Sequence, residues 1–179
     1  MDQLIIRRPM KQEKEQIHQF FSSVITHTFF KEGIAELKAE LAEEIETKKT
    51  YLDDDFESNG LNRYFLFAYK DDRIIGSISY GPPNSIIVQE SKNQMQHLHE
   101  IGSLLVDPKF QNQGIGNKLL QGIFQALREK GNTEFCFDSG YKEAQNIWVR
   151  KFGDPLISLE NYWGENSHHM IWRKKLAEV

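Results

Sequence analysis

Cysteine is nearly absent from this sequence, and its scarcity excludes two classes of protein. Among 179 residues only Cys136 is a cysteine, so the chain forms no internal disulfide and no cysteine-rich metal centre. Cys136 lies within the mainly apolar segment TEFCFD, residues 133–138, where a free cysteine behaves as a small hydrophobic residue. We therefore predict a structural role for this thiol and not a nucleophilic one.

Long apolar segments are also missing. No stretch approaches the roughly 20 apolar residues that a membrane-spanning helix requires. The segment from Met1 to Pro9, MDQLIIRRP, lacks the charged start and the long apolar centre of a secretory signal. We therefore expect a cytoplasmic protein with no membrane partner.

An excess of positive charge is the third missing feature. Lysine and arginine together number 22 against 26 aspartates and glutamates, which gives a formal net charge of −4. Because proteins that bind nucleic acids generally present a basic face, we expect no nucleic-acid partner and favour a small cationic molecule. Hydrophobic residues at 39% and charged residues at 27% are ordinary for a globular chain, and its length suits one domain spanning residues 1–179.

Hydrophobic periodicity predicts how the elements follow one another. A strand at 4–7 precedes two helices, the first beginning near Lys11 and the second carrying Ile34, Leu37, Leu41 and Ile45, and residues 53–60 are predicted to form a loop. The later elements are hairpin strands at 63–69 and 74–80, a loop at 84–97, a strand at 97–106 with side chains alternating between two faces, a helix at 116–130, a strand at 133–138, a helix at 142–151, and a closing hairpin of residues 155–162 and 168–173. This order predicts a mixed α/β sandwich.

The segment from Val106 to Leu120, VDPKFQNQGIGNKLL, combines a strand end, a glycine-containing turn and the start of an amphipathic helix. The turn, residues 111–116, would expose several backbone N–H groups where the helix begins. These groups and the positive end of the helix dipole favour a phosphate. Gly114 and Gly116 would let the backbone approach its ligand closely; the alternative is that they only allow close packing of the helix.

Two common phosphate-binding loops do not fit this segment. A Walker A loop needs Gly-Lys-Ser/Thr, and the dinucleotide-binding fingerprint needs a third glycine and an acidic residue downstream; the segment has neither. A general nucleotide-binding protein is disfavoured for the same reason, because its phosphate-loop lysine is missing.

The segment resembles the acyl-CoA-binding motif of the GNAT family of N-acetyltransferases, written Gln/Arg-x-x-Gly-x-Gly/Ala after a strand that ends in Val-x-Pro. The residues that match are Val106, Pro108, Gln111, Gly114 and Gly116. The resemblance implies a single-domain α/β fold with a mixed, mostly antiparallel central sheet, flanked by helices and splayed at the acyl-CoA site. The predicted order of elements is also the one expected of this family.

The resemblance further implies that acetyl-CoA is the acyl donor, and the sequence shows no set of metal ligands. The backbone of the strand end would pair with the pantetheine arm, and the amides of the turn would hold the pyrophosphate. The cofactor-binding residues implied in this way are Leu104, Leu105, Val106, Gln111, Asn112, Gln113, Gly114, Ile115 and Gly116, with further polar contacts from Asn117, Lys118 and Asn146.

Acetyl transfer to an amine requires a base that removes a proton from the ammonium group. Glu100 is the leading candidate, because many members of the family carry a glutamate at this place and its neighbours Gly102 and Leu104 suggest a semi-apolar site that would raise its pKa. A solvated or salt-bridged glutamate is the alternative. His97 and His99 are secondary candidates, since the ordinary histidine pKa suits this role.

Family members often use a tyrosine to protonate the leaving thiolate, in a context like Tyr-x-Lys-x-Gly-Phe. The corresponding stretch here is IWVRKFG, residues 147–153, and Val149 occupies the tyrosine position. Either the thiolate leaves without an acid, which its modest basicity permits, or another hydroxyl takes the role. The candidates are Tyr141 first, then Ser139 and Tyr162.

The resemblance places the acceptor site at the first two helices, their connection and the C-terminal hairpin. Acidic residues there could attract an amine, although a solvated helix face explains them equally well: Glu36, Glu40, Glu43, Glu44, Glu46, Asp53, Asp54, Asp55 and Glu57. Aromatic side chains could form a wall for a cation, or could serve packing alone: Trp148, Tyr162, Trp163 and Trp172.

The sequence thus predicts an acetyl-CoA-dependent N-acetyltransferase that acts on a primary amine of a small molecule or a peptide. Because the family tyrosine is missing, a catalytically inactive acyl-CoA-binding sensor or assembly module is the alternative. A homodimer is the assembly that the resemblance suggests.

Overall fold

Seven strands form one open, mostly antiparallel sheet accompanied by helices, which confirms the predicted α/β fold class. The computed structural model describes residues 4–179; Met1–Gln3, the start of the segment in which we predict no secretory signal, lie outside the described residues. The strands are β1 (Leu4–Arg7), β2 (Tyr64–Lys70), β3 (Arg73–Gly81), β4 (His99–Val106), β5 (Glu134–Ser139), β6 (Ile157–Leu159) and β7 (His169–Lys175), and the helices are α1 (Lys14–Lys31), α2 (Lys38–Ser58), α3 (Ser85–Glu90), α4 (Ile115–Glu129) and α5 (Lys142–Phe152). Short 3-10 turns cover Lys11–Glu13, Pro108–Phe110 and Leu176–Glu178.

The strands follow the order β1-β2-β3-β4-β5-β7-β6. The pairs β1–β2, β2–β3, β5–β7 and β6–β7 are antiparallel, and β4 pairs with β5 in parallel at two positions, His99 with Phe135 and Glu100 with Cys136. Between residues 4 and 179, none of the helices has both the length and the hydropathy that crossing a bilayer requires.

The described residues divide into two compact units. Unit 1 contains the residues up to Tyr80 together with Ser103–Ala126, and unit 2 contains Gly81–Gly102 and Leu127–Val179. The strand β4 and the helix α4 each contribute residues to both units. Each unit has its own buried core and is described by itself.

In unit 1, α1 buries the apolar stripe that its spacing predicts, which consists of Ile17, Phe20, Phe21, Val24 and Ile25. Phe21 lies against two rings of β2, with centroid distances of 6.0 Å to Phe65 and 6.1 Å to Phe67. The β2–β3 hairpin turns at Asp71 and Asp72, whose φ values of 49° and 60° are typical of a type I′ turn. Three predicted elements of this unit are therefore confirmed.

The second helix differs from its prediction at both ends. It begins at Lys38, so Ile34 and Leu37 precede it, and it continues to Ser58, so the loop predicted over 53–60 is wrong for all but the last two residues. The helix ends where Asn59 adopts a left-handed conformation with φ of 50° and Gly60 follows with φ of 78°.

The physical reason for this error is a buried carboxylate. Asp55 is fully buried, and its side chain accepts hydrogen bonds from the Phe65 N–H at 2.6 Å and from Arg8 Nη2 at 2.7 Å. Three consecutive aspartates are typical of a loop, but partners distant in sequence hold Asp55 inside the protein. The sequence pattern does not reveal such partners.

The helix α4 confirms both its predicted apolar stripe and its predicted end. The stripe of Leu119, Leu120, Ile123, Phe124 and Leu127 is buried, and Gly131, with φ of 84°, follows the last turn. At Gly76 of β3 an added Cβ would lie 2.9 Å from Leu119 Cδ1 and 3.2 Å from Ile115 Cγ2. The absence of a side chain at Gly76 therefore lets α4 pack closely against β3.

In unit 2, a short helix replaces part of the loop predicted over 84–97. The helix α3 begins at Ser85, and the Asn84 side chain caps it by accepting a hydrogen bond from the Ile87 N–H at 3.1 Å. Ile87 and Met95 are buried in a cluster with Leu98. The apolar residues of this segment thus belong to a buried core. Because most of their neighbours in the sequence are polar, the sequence pattern does not predict this burial.

The rest of unit 2 confirms the predicted strand, helix and closing hairpin. Trp172 of β7 is fully buried and stacks on Phe137 of β5 with a centroid distance of 5.0 Å. Cys136 is also fully buried, and this burial, followed by the nearby charges of Glu100 and Asp138, raises the pKa of its thiol. A thiol of this kind is unreactive, so the structural role predicted for Cys136 is confirmed.

The strand β4 is interrupted at one residue. Ser103 has a φ of 52°, which is rare for a residue with a side chain and typical of a β-bulge within a strand. The strict alternation of side chains that we predicted over 97–106 is therefore wrong at Ser103, because its backbone leaves the extended conformation on which alternation depends.

Candidate active site

One candidate site is the loop of unit 1 that follows β4, residues 107–116, which we call the loop site. The Asp107 carboxylate starts it by accepting a hydrogen bond from the Lys109 N–H at 2.9 Å, and the Phe110 N–H donates to the Asp107 carbonyl at 2.8 Å. Asp107 also forms an ion pair of 2.5 Å with Arg73 of β3. These contacts fix the loop to the end of its strand.

Two glutamine side chains stabilise the loop from within. Gln111 Nε2 donates to the Val106 carbonyl at 3.2 Å, and Gln113 Nε2 donates to the Lys109 carbonyl at 3.1 Å. The side chains of Gln111 and Gln113 therefore hold the loop in shape, and what the loop offers to a ligand is its backbone.

The backbone N–H groups of residues 111–116 are available for a ligand. Among residues 4–179 no acceptor is found for any of these six groups, and the first hydrogen bond of α4 runs from the Lys118 N–H to the Gly114 carbonyl at 3.1 Å. Left-handed conformations at Asn112, with φ of 59°, and Gly114, with φ of 80°, shape this segment. Such a row of free donors at the start of a 15-residue helix favours an anion.

The space around Gly114 and Gly116 distinguishes the two explanations for these glycines, which are close approach of a ligand and close packing of the helix. A Cβ added at Gly114 or Gly116 would have no non-neighbouring heavy atom within 4 Å. Close packing of the helix therefore does not account for these glycines, in contrast to Gly76. The open space leaves room for an anionic ligand against the backbone.

A second candidate site lies in unit 2 and consists of five hydrogen-bonded side chains, which we call the carboxylate network: Asn84, Glu100, Asp138, Trp163 and His169. Glu100 is only 8% exposed and accepts hydrogen bonds from the Asn84 N–H at 2.6 Å and from Asn84 Nδ2 at 3.2 Å. Burial argues against a solvated glutamate at this position. The same Asn84 Nδ2 donates to Asp138 Oδ2 at 2.9 Å, so one amide links both carboxylates.

The other half of the carboxylate network fixes the protonation of a histidine. Trp163 Nε1 lies 3.1 Å from His169 Nδ1, and His169 Nε2 lies 2.8 Å from Asp138 Oδ2. Because an indole N–H can only donate, Nδ1 must be the acceptor, and Nε2 therefore carries the proton that is donated to Asp138. Both ring nitrogens of His169 thus have a hydrogen-bond partner.

Gly140 makes the contact between Trp163 and His169 possible. A Cβ at this position would lie 2.9 Å from Trp163 Nε1 and 3.3 Å from His169 Nδ1. Any side chain at Gly140 would therefore separate the two rings.

Sequence reasoning identified Glu100 but missed the connection of Asn84, Asp138 and His169 to it. These residues are 16 to 69 positions from Glu100 along the chain, and Trp163 was considered only as an aromatic wall. The one usable signal was the sequence Asp138-Ser139-Gly140 directly after a buried strand, since polar side chains at strand ends often serve a site.

Three other candidate residues of unit 2, His97, His99 and Tyr141, are not members of the carboxylate network. His99 Nδ1 lies 2.9 Å from Asn132 Oδ1, and burial lowers the pKa of His99, while His97 is exposed. The backbone N–H of Tyr141, at the start of α5, donates to Ser139 Oγ at 3.2 Å. These observations do not test the acid role predicted for Tyr141.

Two amide residues of α5 differ in their exposure. Gln145 is buried and donates to the carbonyls of Ser139 and His168 at 2.8 and 2.9 Å, which is a structural role. Asn146 is exposed, and its carbonyl accepts a hydrogen bond from Arg150 Nε.

Several acidic side chains of α2 have partners within unit 1. Ion pairs join Asp53 to Lys14 at 2.6 Å, Glu44 to Lys48 at 3.1 Å and Glu46 to Lys49 at 2.6 Å. These pairs favour the explanation of a solvated helix face. In the part of the chain that the structure describes, no group of three or more His, Cys, Asp or Glu residues is arranged to hold a metal ion.

Comparison with known families identifies the chain independently of the geometry. The model of the Acetyltransferase (GNAT) family matches residues 30–153, a range that includes the loop site and Glu100. No match was found among curated proteins.

Solved structures share the fold at low sequence identity. The PaiA N-acetyltransferase from Thermoplasma acidophilum, solved in complex with coenzyme A, is 18% identical, with a TM-score of 0.68 over 97% of this chain and 99% of that chain. An acetyltransferase of the GNAT family from Streptococcus pneumoniae is 16% identical, with a TM-score of 0.69 over 97% and 99% of the two chains. The ribosomal-protein-alanine N-acetyltransferase from Brucella melitensis is 15% identical, with a TM-score of 0.68 over 96% and 99%.

Proposed function

The chain belongs to the acetyltransferase (GNAT) family, and on this premise we propose that it transfers an acetyl group from acetyl-CoA to a primary amine of a small molecule or a peptide. The observation that carries the proposal is the row of six backbone N–H groups, residues 111–116, for which the described residues provide no acceptor. Backbone donors in this arrangement hold phosphate oxygens without the lysine of a Walker A loop.

The residues of the loop site would hold the pyrophosphate through their backbone, from Gln111 to Gly116. The exposed side chains of Asn117 and Lys118, in the first turn of α4, would add polar contacts. The backbone of Leu104, Leu105 and Val106 would pair with the pantetheine arm in the manner of an added strand, and Asn146 is a further candidate for a polar contact. Bound acetyl-CoA supplies a thioester whose carbonyl carbon accepts the electron pair of the amine as the thiolate leaves.

Glu100 would act as the base that takes the proton from the acceptor ammonium, directly or through water. Its burial disfavours the charged carboxylate, whereas the hydrogen bonds from Asn84 favour it. Asn84 also holds the carboxylate in one orientation, which general base catalysis requires.

Protonation of the leaving thiolate completes the reaction. Val149 stands where many relatives carry a tyrosine, so Tyr141 is the proposed acid, with Ser139 and Tyr162 as substitutes. A thiolate is a weak enough base to leave unprotonated, and the reaction does not depend on this assignment.

The experiment that tests the function measures thiol release from acetyl-CoA against polyamines, amino acids, aminoglycosides, arylalkylamines and short peptides, with CoA affinity measured alongside. Release that depends on one class of amine would support the transferase and identify its acceptor. CoA binding without release across the panel would contradict it and favour the acyl-CoA sensor. Competition by ATP as strong as that by CoA would contradict both.

A further inference from the structure

Two aromatic side chains on the turn between β6 and β7 are exposed to solvent. Tyr162 is 40% exposed and Trp163 is 58% exposed. The turn is held by its own backbone, since the Trp163 N–H donates to the Ser167 carbonyl at 3.0 Å and the Gly164 N–H donates to the Asn161 carbonyl at 3.1 Å. Trp163 also packs against Tyr162 and His169, with ring centroid distances of 4.9 and 5.7 Å, and these contacts still leave more than half of its surface open to a ligand.

The carboxylate connected to this turn has one oxygen left for a ligand. Asp138 Oδ2 accepts hydrogen bonds from Asn84 and His169, whereas no donor to Asp138 Oδ1 is found among residues 4–179. The Asp138 side chain is 14% exposed, so solvent reaches it. The Trp163 N–H donates to Nδ1 of His169, so the ring meets Asp138 through Nε2 and leaves Asp138 Oδ1 uncovered.

We infer that Asp138 Oδ1 binds the ammonium group of the acceptor, that the apolar part of the acceptor covers Trp163, and that His169 and Asn84 are positioning residues. The inference rests on the proposed function and names its acceptor class, a primary amine attached to an apolar group. All the residues involved belong to unit 2.

Charge and exposed ring area together select this class of amine. A carboxylate and an ammonium group form a charge-assisted hydrogen bond, which is about twice as strong as a neutral one. An exposed indole ring attracts both a cation and an apolar surface. A protonated His169 would repel the ammonium group, and the N–H of Trp163 disfavours that state because it occupies the nitrogen that would take the proton.

The test measures the binding affinity of three probes in the absence of acetyl-CoA: 2-phenylethylamine, the uncharged 2-phenylethanol and the small methylamine. We expect the protein to bind 2-phenylethylamine about 10- to 100-fold more tightly than 2-phenylethanol, measured by isothermal titration calorimetry. In Asp138→Asn, which keeps an oxygen for His169, the preference for the amine disappears. An unchanged preference in this variant would overturn the inference.

A second pair of variants keeps the inference falsifiable if Asp138→Asn does not fold. Trp163 is exposed, so neither Trp163→Phe nor Trp163→Ala disturbs a core. Trp163→Ala should weaken binding of 2-phenylethylamine more than Trp163→Phe does, because both variants lose the N–H donor to His169 and only Trp163→Ala also loses the apolar ring. Equal binding of 2-phenylethylamine to wild type and Trp163→Ala would overturn the role of the ring.

The positioning role has its own spectroscopic readout. In wild type, 15N spectra of the imidazole should show His169 protonated at Nε2 only. Trp163→Phe retains a ring but removes the donor, so we expect a mixed tautomer or protonated His169 and weaker amine binding. An unchanged imidazole spectrum would show that Trp163 does not position His169.

Thiol release with 2-phenylethylamine separates this inference from the proposed function. Amine binding that requires Asp138, without thiol release, would support the site and contradict the transferase. Thiol release with amines whose binding is unaffected by Asp138→Asn would support the transferase and overturn this inference alone.

Discussion

At the residue scale, Glu100 combines burial with two hydrogen bonds from a single neighbour, Asn84. If it is the base, Glu100→Gln should lower kcat by about 10²- to 10⁴-fold, since glutamine keeps the size of the side chain and one of its two acceptor oxygens but cannot take a proton. The loss should be largest at low pH, where the acceptor amine is fully protonated. The pH profile of kcat checks this expectation.

The control for Glu100→Gln is CoA affinity, which should not change because the backbone of the loop site holds the cofactor. A variant with the wild-type pH profile would remove Glu100 from the mechanism. Loss of both CoA binding and turnover would instead indicate misfolding, which circular dichroism detects.

Asn84 has two roles that substitution can separate. Its side chain caps α3 through the Ile87 N–H and also bridges Glu100 and Asp138. Asn84→Ser keeps a capping oxygen but is too short to bridge, so it should lower turnover with little change in stability. Asn84→Ala should additionally lower the free energy of unfolding by about 1 kcal/mol.

Urea unfolding and steady-state kinetics of these two variants form the measurement. Equal stability of the serine and alanine variants would show that the cap does not contribute. Full activity in Asn84→Ser would show that the bridge between the carboxylates has no function.

At the scale of the element, the start of α4 would bind CoA through backbone N–H groups, which substitutions other than proline leave in place. A variant can therefore test this role by adding bulk or charge beside the backbone. Gly116 has ordinary dihedral angles and open space around a Cβ, which makes it a better position for substitution than the left-handed Gly114. Gly116→Glu should weaken CoA binding by about 10- to 100-fold, because it brings a negative charge to the pyrophosphate. Gly116→Gln, of the same size but neutral, should weaken binding less.

Calorimetry of CoA binding to the two Gly116 variants shows whether an anion lies at the start of α4. Thermal unfolding is the control for folding. If glutamate and glutamine weaken binding equally, bulk alone acts and no anion lies at this helix start. Wild-type affinity in both would place the cofactor elsewhere.

The elements that were predicted correctly carry their signal within one segment. The helices α1 and α4 repeat apolar residues on one face, and the β2–β3 hairpin has a polar two-residue turn. The errors occur where a distant partner overrides local pattern, as Arg8 and Phe65 do for Asp55 in α2. The short α3 was missed because its six residues provide too little periodicity to read.

At the scale of the whole molecule, the same distinction separates the loop site from the carboxylate network. The loop site is one continuous segment, so its turn and its row of exposed backbone N–H groups could be predicted together. The carboxylate network joins positions from 84 to 169, and only the fold brings them into contact. Composition and motif therefore indicated the cofactor, whereas the acceptor chemistry required the structure.

The dependence of stability on pH is a property of the whole molecule that Asp55 should dominate near neutrality. Burial raises the pKa of Asp55 from its ordinary 3.8 to about 6, against the opposing effects of the Phe65 N–H and Arg8. Because the folded pKa lies above the unfolded one, the folded state binds more protons between these values. The contribution of Asp55 to stability is therefore full below about pH 4 and is lost as the pH rises through 6.

The size of this effect follows from the shift in pKa. Two units correspond to about 3 kcal/mol, so the free energy of unfolding of wild type relative to Asp55→Asn should fall by on the order of 3 kcal/mol between pH 4 and pH 7. Urea titrations of both proteins across this range measure the difference, and the asparagine variant cancels the contributions of other groups. A difference that stays constant with pH would show that Asp55 is ionised in the fold throughout, with Arg8 and the Phe65 N–H outweighing burial.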